Sequence, residues 1–235
     1  MLVVGFPTGA FQANCFLIAP GDGGPCVVVD PGQDAEEPLL EALREHQLSP
    51  VAVVLTHGHL DHTFSVTPVC DGNDVPAWIH PDDRYMLSDP LRGMSDEAAR
   101  FFGPLTMREP SEVRELHDQA VLDLAGLKLT VRHTPGHTDG SVSFAHTTEE
   151  GGHLLFSGDT LFAGSIGRTD LPGGSMARMT ETLRTLLELE DETVVLPGHG
   201  PTTTIGRERV SNPFLTGLVD LSDPSSAHRG RGRGI

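Results

Sequence analysis

VAVVLTHGHLDHTF, residues 51–64, joins a strand signal directly to a dense group of polar side chains. Its first five residues are apolar and rich in β-branched side chains, which predicts a short buried strand. Four potential metal ligands follow within six residues: His57, His59, Asp61 and His62. Because alternate side chains of an extended backbone point to the same side, we expect His57 and His59 to converge on one ion.

The second half of this stretch predicts a change of direction. Asp61 and His62 lie where a loop or the start of a helix would redirect the chain, so they are expected to address a second ion nearby. Gly58 has no Cβ and therefore allows a tight turn between the two histidines. A polar loop with histidines present by chance is the alternative interpretation. It accounts for any single histidine, but four ligand side chains at this spacing favour a metal site.

The composition is that of a soluble globular protein. The 235 residues carry a net charge of −17, with 37% hydrophobic and 21% charged residues. This length suffices for one large or two small domains with a real core. No apolar run approaches the ~20 residues that span a bilayer, and the first residues lack the basic and apolar regions of a secretion signal. We therefore expect a cytoplasmic protein, with neither nucleic acid nor a membrane as a partner.

Two further features narrow the choice of site and domain. The three cysteines have no C-x-x-C spacing and an odd count, which argues against disulfides and against a cysteine metal site. Residues 222–235 contain the basic run HRGRGR. Its glycine spacing and terminal position predict a flexible basic tail, with an RNA-binding arm as the alternative. Residues 1–221 are predicted to form one functional domain.

Predicted strands alternate with loops that carry candidate ligands. Strands are predicted at 51–55, 127–132, 153–157 and 193–196, and candidate ligands follow their ends: His57, His137, Asp159 and His199. Function placed on loops that a rigid sheet holds is the usual arrangement. A helix is predicted at 177–189, and Asp34 with Glu37 resembles a capping box that would start another helix. Strands interleaved with helices predict an α/β layer architecture.

The full set of candidate ligands comprises five imidazoles and two carboxylates: His57, His59, Asp61, His62, His137, Asp159 and His199. Nitrogen and oxygen donors without thiolates suit zinc, iron or manganese. A closed structural site needs only four ligands, so seven are too many for one ion. They fit two divalent ions about 3.5–4 Å apart, bridged by a carboxylate and a hydroxide.

Four short motifs, in this order, resemble those of the metallo-β-lactamase superfamily. They are THGHLDH at 56–62, TPGHT at 134–138, SGDT at 157–160 and PGHG at 197–200. The resemblance implies an α/β (α+β) fold, an αββα sandwich of two mixed β-sheets flanked by helices. It also implies an enzyme, because a non-catalytic member would be expected to lose ligands and none is missing.

Within the superfamily the chain is most similar to the glyoxalase II branch, the hydroxyacylglutathione hydrolases. The likeness rests on DTLF at 159–162, GRTD at 167–170, PGHGPTTT at 197–204 and NPFL at 212–215. The family pattern implies one metal held by His57, His59 and His137, a second held by Asp61, His62 and His199, and Asp159 bridging both. It implies two divalent ions, zinc foremost with iron or manganese as alternatives, and a small-molecule thioester as substrate.

One departure from the family pattern concerns the substrate. Larger glyoxalase II enzymes add a C-terminal helical domain that binds glutathione, and the 36 residues after His199 are too few for it. Another low-molecular-weight thiol, or a different thioester, therefore stays open. Arg168 either contacts an acidic substrate or braces its Gly-rich loop. His133 is expected to support a ligand or the fold, and His80 and His117 to be surface or core residues.

Thioester hydrolysis suits a site in which every identifiable ionisable group is used as a ligand. A thiolate, whose conjugate acid has a pKa of about 8.5, leaves with little help from a general acid. Asp61 is expected to bind metal and to orient the nucleophile or move its proton. A mononuclear-iron persulfide dioxygenase, which typically has Ala where Gly198 stands, is the main alternative. A lactonase or esterase is another, whereas true β-lactamases and nucleases fit less well. The sequence makes no prediction of oligomeric state.

Overall fold

A computed structural model describes residues 1–102, 105 and 107–218 of the chain. The first of two six-stranded sheets follows chain order: β1 Leu2–Thr8, β2 Ala13–Ala19, β3 Gly24–Val29, β4 Leu48–Val54, β5 Ala77–Ile79 and β6 Val113–Glu115. Strands β1 to β3 pair antiparallel, whereas β3 to β6 are parallel neighbours. The predicted tail at 222–235 and the last three residues of the predicted domain lie outside the described residues.

The second sheet is also mixed. Its first four strands are β7 Val121–Leu124, β8 Leu127–His133, β9 Val142–Thr147 and β10 His153–Gly158. A small hairpin follows, made of β11 Leu161–Phe162 and β12 Ser165–Ile166, and the sheet is completed by β13 Val194–Pro197 and β14 Thr203–Thr204. The spatial order is β14-β13-β10-β9-β8-β7, in which β10 and β13 are parallel and the other neighbours antiparallel.

Helices cover the outer faces of the sheets or connect their strands. They are α1 Glu36–Glu45, α2 Leu60–Thr63, α3 Val66–Asn73, α4 Asp96–Phe102, α5 Met176–Leu186, α6 Ile205–Ser211 and α7 Pro213–Thr216. Two 3-10 helices, Arg84–Leu87 and Pro90–Gly93, lie between β5 and α4. Among the described residues, none of the helices has the length and apolar character that crossing a bilayer requires.

Alternating side chains of the strands divide the core into three apolar layers. Phe16 of β2 points between the two sheets, where its ring meets the ring of Phe156 from β10 with 5.5 Å between centroids. Leu17, one residue later, faces α1 and α3 on the outer side of the first sheet. Helices α5, α6 and α7 pack in the same way on the outer side of the second sheet. The order helix, sheet, sheet, helix confirms the predicted αββα sandwich.

The predicted elements are present with shifted ends, and one capping prediction is wrong. The strand predicted at 51–55 belongs to β4, and the helix predicted at 177–189 is α5, whose N-cap Ser175 accepts a hydrogen bond from the Arg178 N–H. The capping box predicted at Asp34 does not form. Helix α1 is preceded by Ala35 without a side-chain cap, and Asp34 instead takes a left-handed conformation with φ of 59°.

Candidate metal centre

The seven predicted ligands lie together just beyond the ends of four strands. His57 and His59 follow β4, and the short helix α2 then turns Asp61 and His62 back towards them. His137 lies in the loop after β8, Asp159 directly follows β10, and His199 follows β13. The pattern of a strand followed by a ligand-bearing loop therefore places the side chains as the sequence predicts. That they bind metal stays a prediction.

Three histidines, His57, His59 and His137, form what we call the three-histidine cluster. Their rings lie with centroids 4.6 to 4.9 Å apart, and the planes are close to perpendicular. His59 Nδ1 and His137 Nε2 approach to 2.8 Å. All three side chains are buried. Their ligand atoms lie within 4.8 Å of one another, a grouping that could hold one metal ion.

A second group, which we call the carboxylate cluster, comprises Asp61, His62 and His199. His199 Nε2 lies 3.2 Å from both Asp61 Oδ2 and His62 Nε2. His62 is fully buried, whereas His199 and Asp61 are 26% and 22% exposed at their side chains. Their ligand atoms also lie within 4.8 Å of one another and could hold an ion. This cluster is thus the more open of the two.

The Asp159 carboxylate lies between the two clusters. Its Oδ2 is 3.5 Å from His137 Nε2 of the three-histidine cluster and 3.5 Å from His199 Nε2 of the carboxylate cluster. Its Oδ1 is 3.4 Å from His62 Nε2. These distances are long for hydrogen bonds. One carboxylate therefore faces ligand atoms of both clusters, as a bridging ligand would.

Four of the five imidazoles are held through the ring nitrogen that points away from the cluster. His62 Nδ1 lies 3.1 Å from Asp30 Oδ2, and His57 Nδ1 lies 3.1 Å from Thr56 Oγ1. Main-chain carbonyls accept the other two bonds: Arg168 O from His137 Nδ1 at 2.7 Å, and Phe11 O from His199 Nδ1 at 3.1 Å. Such bonds fix ring orientation and are typical of metal-binding histidines.

The buried nitrogen and oxygen atoms that make no hydrogen bond are of the kind that binds a metal ion. Among the described residues, His57 Nε2 is buried without a hydrogen-bond partner, and so is Asp159 Oδ1. A buried polar atom without a partner is costly, so such atoms call for an explanation. Imidazole nitrogens and carboxylate oxygens without thiolates suit zinc, iron and other divalent ions. The residues present therefore fit the two ions that the sequence predicts.

Burial keeps His57 and His59 of the three-histidine cluster neutral in the metal-free protein. It lowers the pKa of His57 well below its ordinary value, and the neighbouring imidazoles His62 and His137 lower it further. It also lowers the pKa of His59 to about 3, with His137 adding to the effect. Desolvation disfavours the imidazolium at both rings, and at His59 it outweighs the Asp61 and Asp159 carboxylates, which act in the opposite direction.

Carboxylates reverse that balance in the carboxylate cluster. Burial by itself would lower the pKa of His62, but Asp159 and Asp61 outweigh it and raise the pKa well above its ordinary value. The pKa of His199 is also raised against the effect of burial, chiefly by its hydrogen bond with Asp61. Burial would raise the pKa of Asp61, but His62 and the His199 hydrogen bond hold it below its usual range.

Asp30 is a supporting residue that the sequence analysis missed. It is 2% exposed and has a left-handed backbone with φ of 48°, which is uncommon for a residue with a side chain. Its Oδ1 accepts a hydrogen bond from Thr56 N–H at 2.8 Å, and its Oδ2 accepts one from Thr56 Oγ1 at 2.6 Å. The same Oδ2 contacts His62 Nδ1. The sequence signal that could have identified Asp30 is its position as an acidic residue directly after a predicted buried strand.

Asp83 is a second missed residue, and it ties two ligand loops together. Its carboxylate accepts hydrogen bonds from Gly58 N–H at 2.9 Å, Gly140 N–H at 2.8 Å and Thr138 Oγ1 at 2.7 Å. Burial raises the pKa of Asp83 even though these bonds act in the opposite direction. Nothing in the local sequence around Asp83 distinguishes it from neighbouring surface acids.

Two glycines permit close approaches within the site. A Cβ on Gly58 would lie 2.7 Å from Met86 Cε and 2.8 Å from Asp83 O, so Gly58 is required by packing. A Cβ on Gly198 would overlap Asp159 Oδ1 and lie 2.8 Å from His62 Cε1. The Asp159 carboxylate can occupy its position between the clusters because residue 198 has no side chain.

The remaining histidines lie outside this set of seven. His133 Nε2 donates to Asp139 O at 2.9 Å, close in sequence to His137, and its ring stacks on the ring of His80 with centroids 4.4 Å apart. His80 is nearly buried, and Asp82 completes a further group that could hold an ion. The side chain of His117 is 66% exposed, as expected for a surface residue.

A cavity of about 520 Å³ opens above the two clusters. His59, Asp61, His137, Asp159 and His199 form part of its wall, so the clusters are accessible to a small molecule. Arg168 also lines the cavity, and its guanidinium forms a two-bond ion pair with the exposed Asp170 carboxylate at 2.8 and 2.9 Å. The Arg168 side chain thus braces its own loop, while its main-chain carbonyl supports His137.

Comparison with known proteins identifies a large family of similar chains. Residues 8–199 match the family model described as the metallo-beta-lactamase superfamily. An uncharacterized protein of Mycobacterium leprae (strain TN) is 49% identical over 93% of this chain and 100% of its own length. The hydroxyacylglutathione hydrolase GloC of Haemophilus influenzae is 36% identical over 89% of this chain and 95% of its own.

Solved structures with this architecture extend over the same length of chain. The BLEG-1 B3 metallo-beta-lactamase superposes with a TM-score of 0.81 and 38% identity, covering 92% of this chain and 100% of that one. TTHA1623, solved in a di-iron-bound form, superposes with a TM-score of 0.75 and 40% identity, covering 90% of this chain and 100% of that one. The similarity therefore includes the loops that carry the seven side chains.

Proposed function

The chain belongs to the metallo-β-lactamase superfamily, and on that premise we propose that it is a binuclear metal-dependent hydrolase of thioesters, of the glyoxalase II type. The reaction would convert an acylated thiol, such as a 2-hydroxyacyl thioester, and water into a carboxylic acid and a thiol. The observation that carries the proposal is the Asp159 carboxylate, which faces His137 on one side and His62 and His199 on the other.

Each cluster would hold one divalent ion. His57, His59 and His137 would bind the first, Asp61, His62 and His199 the second, and Asp159 both. Two ions so held lower the pKa of a water to about 7 and polarise a carbonyl oxygen. Zinc is the ion we favour; iron is supported by the di-iron form of TTHA1623, and manganese is also compatible with the donor set.

The protein's own residues would orient the reactants. Asp61 lines the cavity with its carboxylate partly exposed, in a position to accept a hydrogen bond from an attacking water and orient it. The supporting bonds from Asp30, Arg168 O and Phe11 O hold three imidazoles in fixed orientations. Preorganised groups of this kind cost little reorganisation during reaction.

The leaving group distinguishes thioesters from amides at this site. Among the described residues that line the cavity there is no Tyr, Lys or Cys side chain to protonate a leaving amine. A thiolate needs no such donor, because its conjugate acid has a pKa of about 8.5. The likeness to the hydroxyacylglutathione hydrolase GloC supports the same reaction class.

The mononuclear dioxygenase alternative is disfavoured by the contact at Gly198. With Ala at this position, the added methyl group would overlap Asp159 Oδ1. Gly198 therefore supports a carboxylate placed between two ions. β-Lactam hydrolysis is a second candidate, favoured by the 38% identity to the BLEG-1 enzyme. It ranks below thioester hydrolysis because, among the described residues, the cavity wall has no Tyr, Lys or Cys side chain to protonate the amine.

The partner of the protein in this proposal is the small-molecule thioester, with no nucleic acid or membrane. The cytoplasm is the proposed location. Neither point bears on the chemistry of the site.

The proposal is tested on protein purified without added metal. Metal content would be measured together with hydrolysis of S-lactoylglutathione and of a chromogenic cephalosporin, and with oxygen uptake on glutathione persulfide. We expect about two metals per chain and thioester turnover. One iron per chain with oxygen consumption would overturn the hydrolase, and β-lactam turnover without thioester turnover would promote the second candidate.

A further inference from the structure

The wall of the cavity is chemically unlike a glutathione site. Resting on the thioester hydrolysis proposed above, we infer that the preferred substrate is a thioester with an extended apolar acyl group carried by a small, uncharged thiol. The inference is drawn from the side chains around the clusters, from their exposure and from the charges that the cavity offers.

Apolar side chains surround the candidate metal ligands on several sides. Leu60 stands between His59 and Asp61 in the chain, and Phe64 follows one helical turn later. Phe162 meets the ring of His199 edge-on, with 5.9 Å between centroids. The other apolar side chains of the wall are Phe11, Met94, Leu105 and Leu171. An acyl chain whose carbonyl lies at the clusters would therefore find apolar side chains to contact along the cavity wall.

Two of these aromatic rings are exposed although most large apolar side chains of the protein are buried. Phe11 is 60% exposed and Phe64 is 39% exposed, and both lie at the wall of the same cavity. A grouping of exposed apolar side chains beside a cavity is typical of a binding surface. Covering the two rings with a hydrocarbon chain would remove apolar surface from water, which favours binding.

The charges of the cavity disfavour glutathione. That tripeptide carries two carboxylates and an ammonium group at neutral pH, and burying such groups without partners is costly. Arg168 is the sole Lys or Arg among the described residues that line the cavity, and its guanidinium is already paired with Asp170. The net charge of −17 further disfavours anionic substrates. An uncharged thiol avoids both costs.

The size of the cavity also exceeds what a hydroxyacyl group fills. A volume of about 520 Å³ lies within the range of sites that enclose whole small molecules. A lactoyl group is short and polar, so it would leave most of the apolar wall uncovered. A longer acyl chain would cover it, and each methylene that becomes buried is expected to improve binding about fourfold.

The first test compares acyl groups on one leaving thiol. Acetyl, lactoyl, butanoyl and hexanoyl thioesters of N-acetylcysteamine would be assayed with metal-loaded enzyme, beside S-lactoylglutathione and S-hexanoylglutathione. We expect kcat/KM to rise about 100-fold or more from acetyl to hexanoyl. The N-acetylcysteamine ester should be hydrolysed better than the glutathione ester of the same acyl group.

The second test uses a matched pair of exposed phenylalanines. Phe11→Ser removes an aromatic ring from the cavity wall but keeps the main-chain carbonyl that holds His199. We expect it to lower the ratio of kcat/KM for the hexanoyl ester to kcat/KM for the acetyl ester about tenfold, and Phe11→Leu to restore that ratio. Phe214→Ser is the control, because Phe214 is 42% exposed and lies outside the cavity.

The outcomes separate this inference from the proposed function. Equal kcat/KM across acyl lengths, or a preference for S-lactoylglutathione, would overturn the apolar substrate and leave the thioester hydrolase standing. Absence of turnover with every thioester, in protein holding two metals, would overturn both. A rise with acyl length that Phe11→Ser reduces about tenfold and Phe214→Ser leaves intact would support the inference.

Discussion

The three-histidine cluster and the carboxylate cluster lie side by side and share Asp159, yet their surroundings differ. His57 and His59 are buried among other imidazoles, which lowers the pKa of both. His62 and His199 contact the carboxylates of Asp61 and Asp159, which raises the pKa of both. His57 and His59 of the first cluster are thus neutral donors, and the second cluster is a charged, hydrogen-bonded group of which two side chains are partly exposed.

This difference indicates that the two candidate metal positions are not equivalent. Neutral imidazoles can accept a cation without first losing a proton, whereas protonated ones must release theirs, so their affinity for metal depends on pH. The supports differ as well: Asp30 contacts a ring of the carboxylate cluster, and Asp83 holds the loops of the three-histidine cluster. Four experiments would sharpen or break the comparison.

Gly198→Ala is expected to have the largest effect. The added methyl group would overlap Asp159 Oδ1 and crowd His62, which displaces the shared carboxylate and disables the carboxylate cluster. We expect metal content to fall from about two to about one per chain, and thioester turnover to fall about 1,000-fold because several kcal/mol of stabilisation are lost. Elemental analysis and kinetics provide the measurement.

Gly72→Ala is the control for that substitution. Gly72 is exposed in α3, and a Cβ there would meet no atom within 4 Å. It should keep both metals and full turnover. Retention of two metals by Gly198→Ala would contradict the assigned position of Asp159.

Asp30→Asn is expected to weaken the carboxylate cluster more than the three-histidine cluster, because Asp30 contacts His62 directly but reaches His57 only through Thr56. The amide would present an N–H to Thr56 Oγ1 and His62 Nδ1, or to Thr56 N–H, in place of an acceptor oxygen. Loss of such a support typically lowers metal affinity or activity 10- to 100-fold, roughly. Competition with a chelator would measure the weaker and the tighter dissociation constant separately. Equal weakening of both would show that the clusters act as one coupled unit.

Asp83→Asn is expected to act on the three-histidine cluster, and more weakly than Asp30→Asn acts on the carboxylate cluster. Its amide group must face at least one of the donors of Gly58, Thr138 and Gly140, which loosens the loops that carry His57, His59 and His137. Because Asp83 contacts two main-chain N–H groups and the Thr138 hydroxyl but no candidate ligand ring, we expect a loss of about tenfold or less in the affinity of the three-histidine cluster. Asp123→Asn, at an exposed carboxylate of β7, should change nothing in the same chelator titration.

Proton release on metal binding is the smallest of the expected effects, and it compares the two clusters most directly. Because the pKa of His62 and of His199 is raised, both rings hold a proton to higher pH than an ordinary histidine, and binding at the carboxylate cluster is expected to release about one or two protons. His57 and His59 have a lowered pKa and release none. The release should decline as the pH rises above the raised pKa values.

Calorimetric titration of the metal-free protein, in two buffers with different ionisation enthalpies, measures the protons released at each step. The step assigned to the carboxylate cluster should depend on the buffer more strongly than the other step. Buffer dependence that is equal for the two steps would remove the distinction drawn between the clusters.

Much of the site could be predicted from the sequence because its ligands are locally encoded. Each of them follows a strand that short-range patterning reveals, and His57, His59, Asp61 and His62 come from one stretch of six residues. The strands of the sheets could be inferred from their alternation and β-branched composition. The arrangement of these strands in a sandwich of two sheets came with the family resemblance.

The supports and the cavity could not be predicted in the same way. Asp83 bonds to Gly140, 57 residues away, and Phe11 O holds a histidine 188 residues away. No local pattern records a contact made across such a separation. The capping box at Asp34 failed for a related reason, since the backbone there turns into a left-handed conformation that brings no side chain to the helix start. The exposure of Phe11 likewise depends on how the loops pack.

The use of main-chain oxygens to hold His137 and His199 has a consequence for how such a protein changes over generations. The carbonyls of Arg168 and Phe11 are present whatever side chain these positions carry. Mutation can therefore redraw the cavity wall at both places while the orientation of the two imidazoles is inherited unchanged. Substrate preference can therefore change by mutation at these two positions while the two imidazoles keep their orientation.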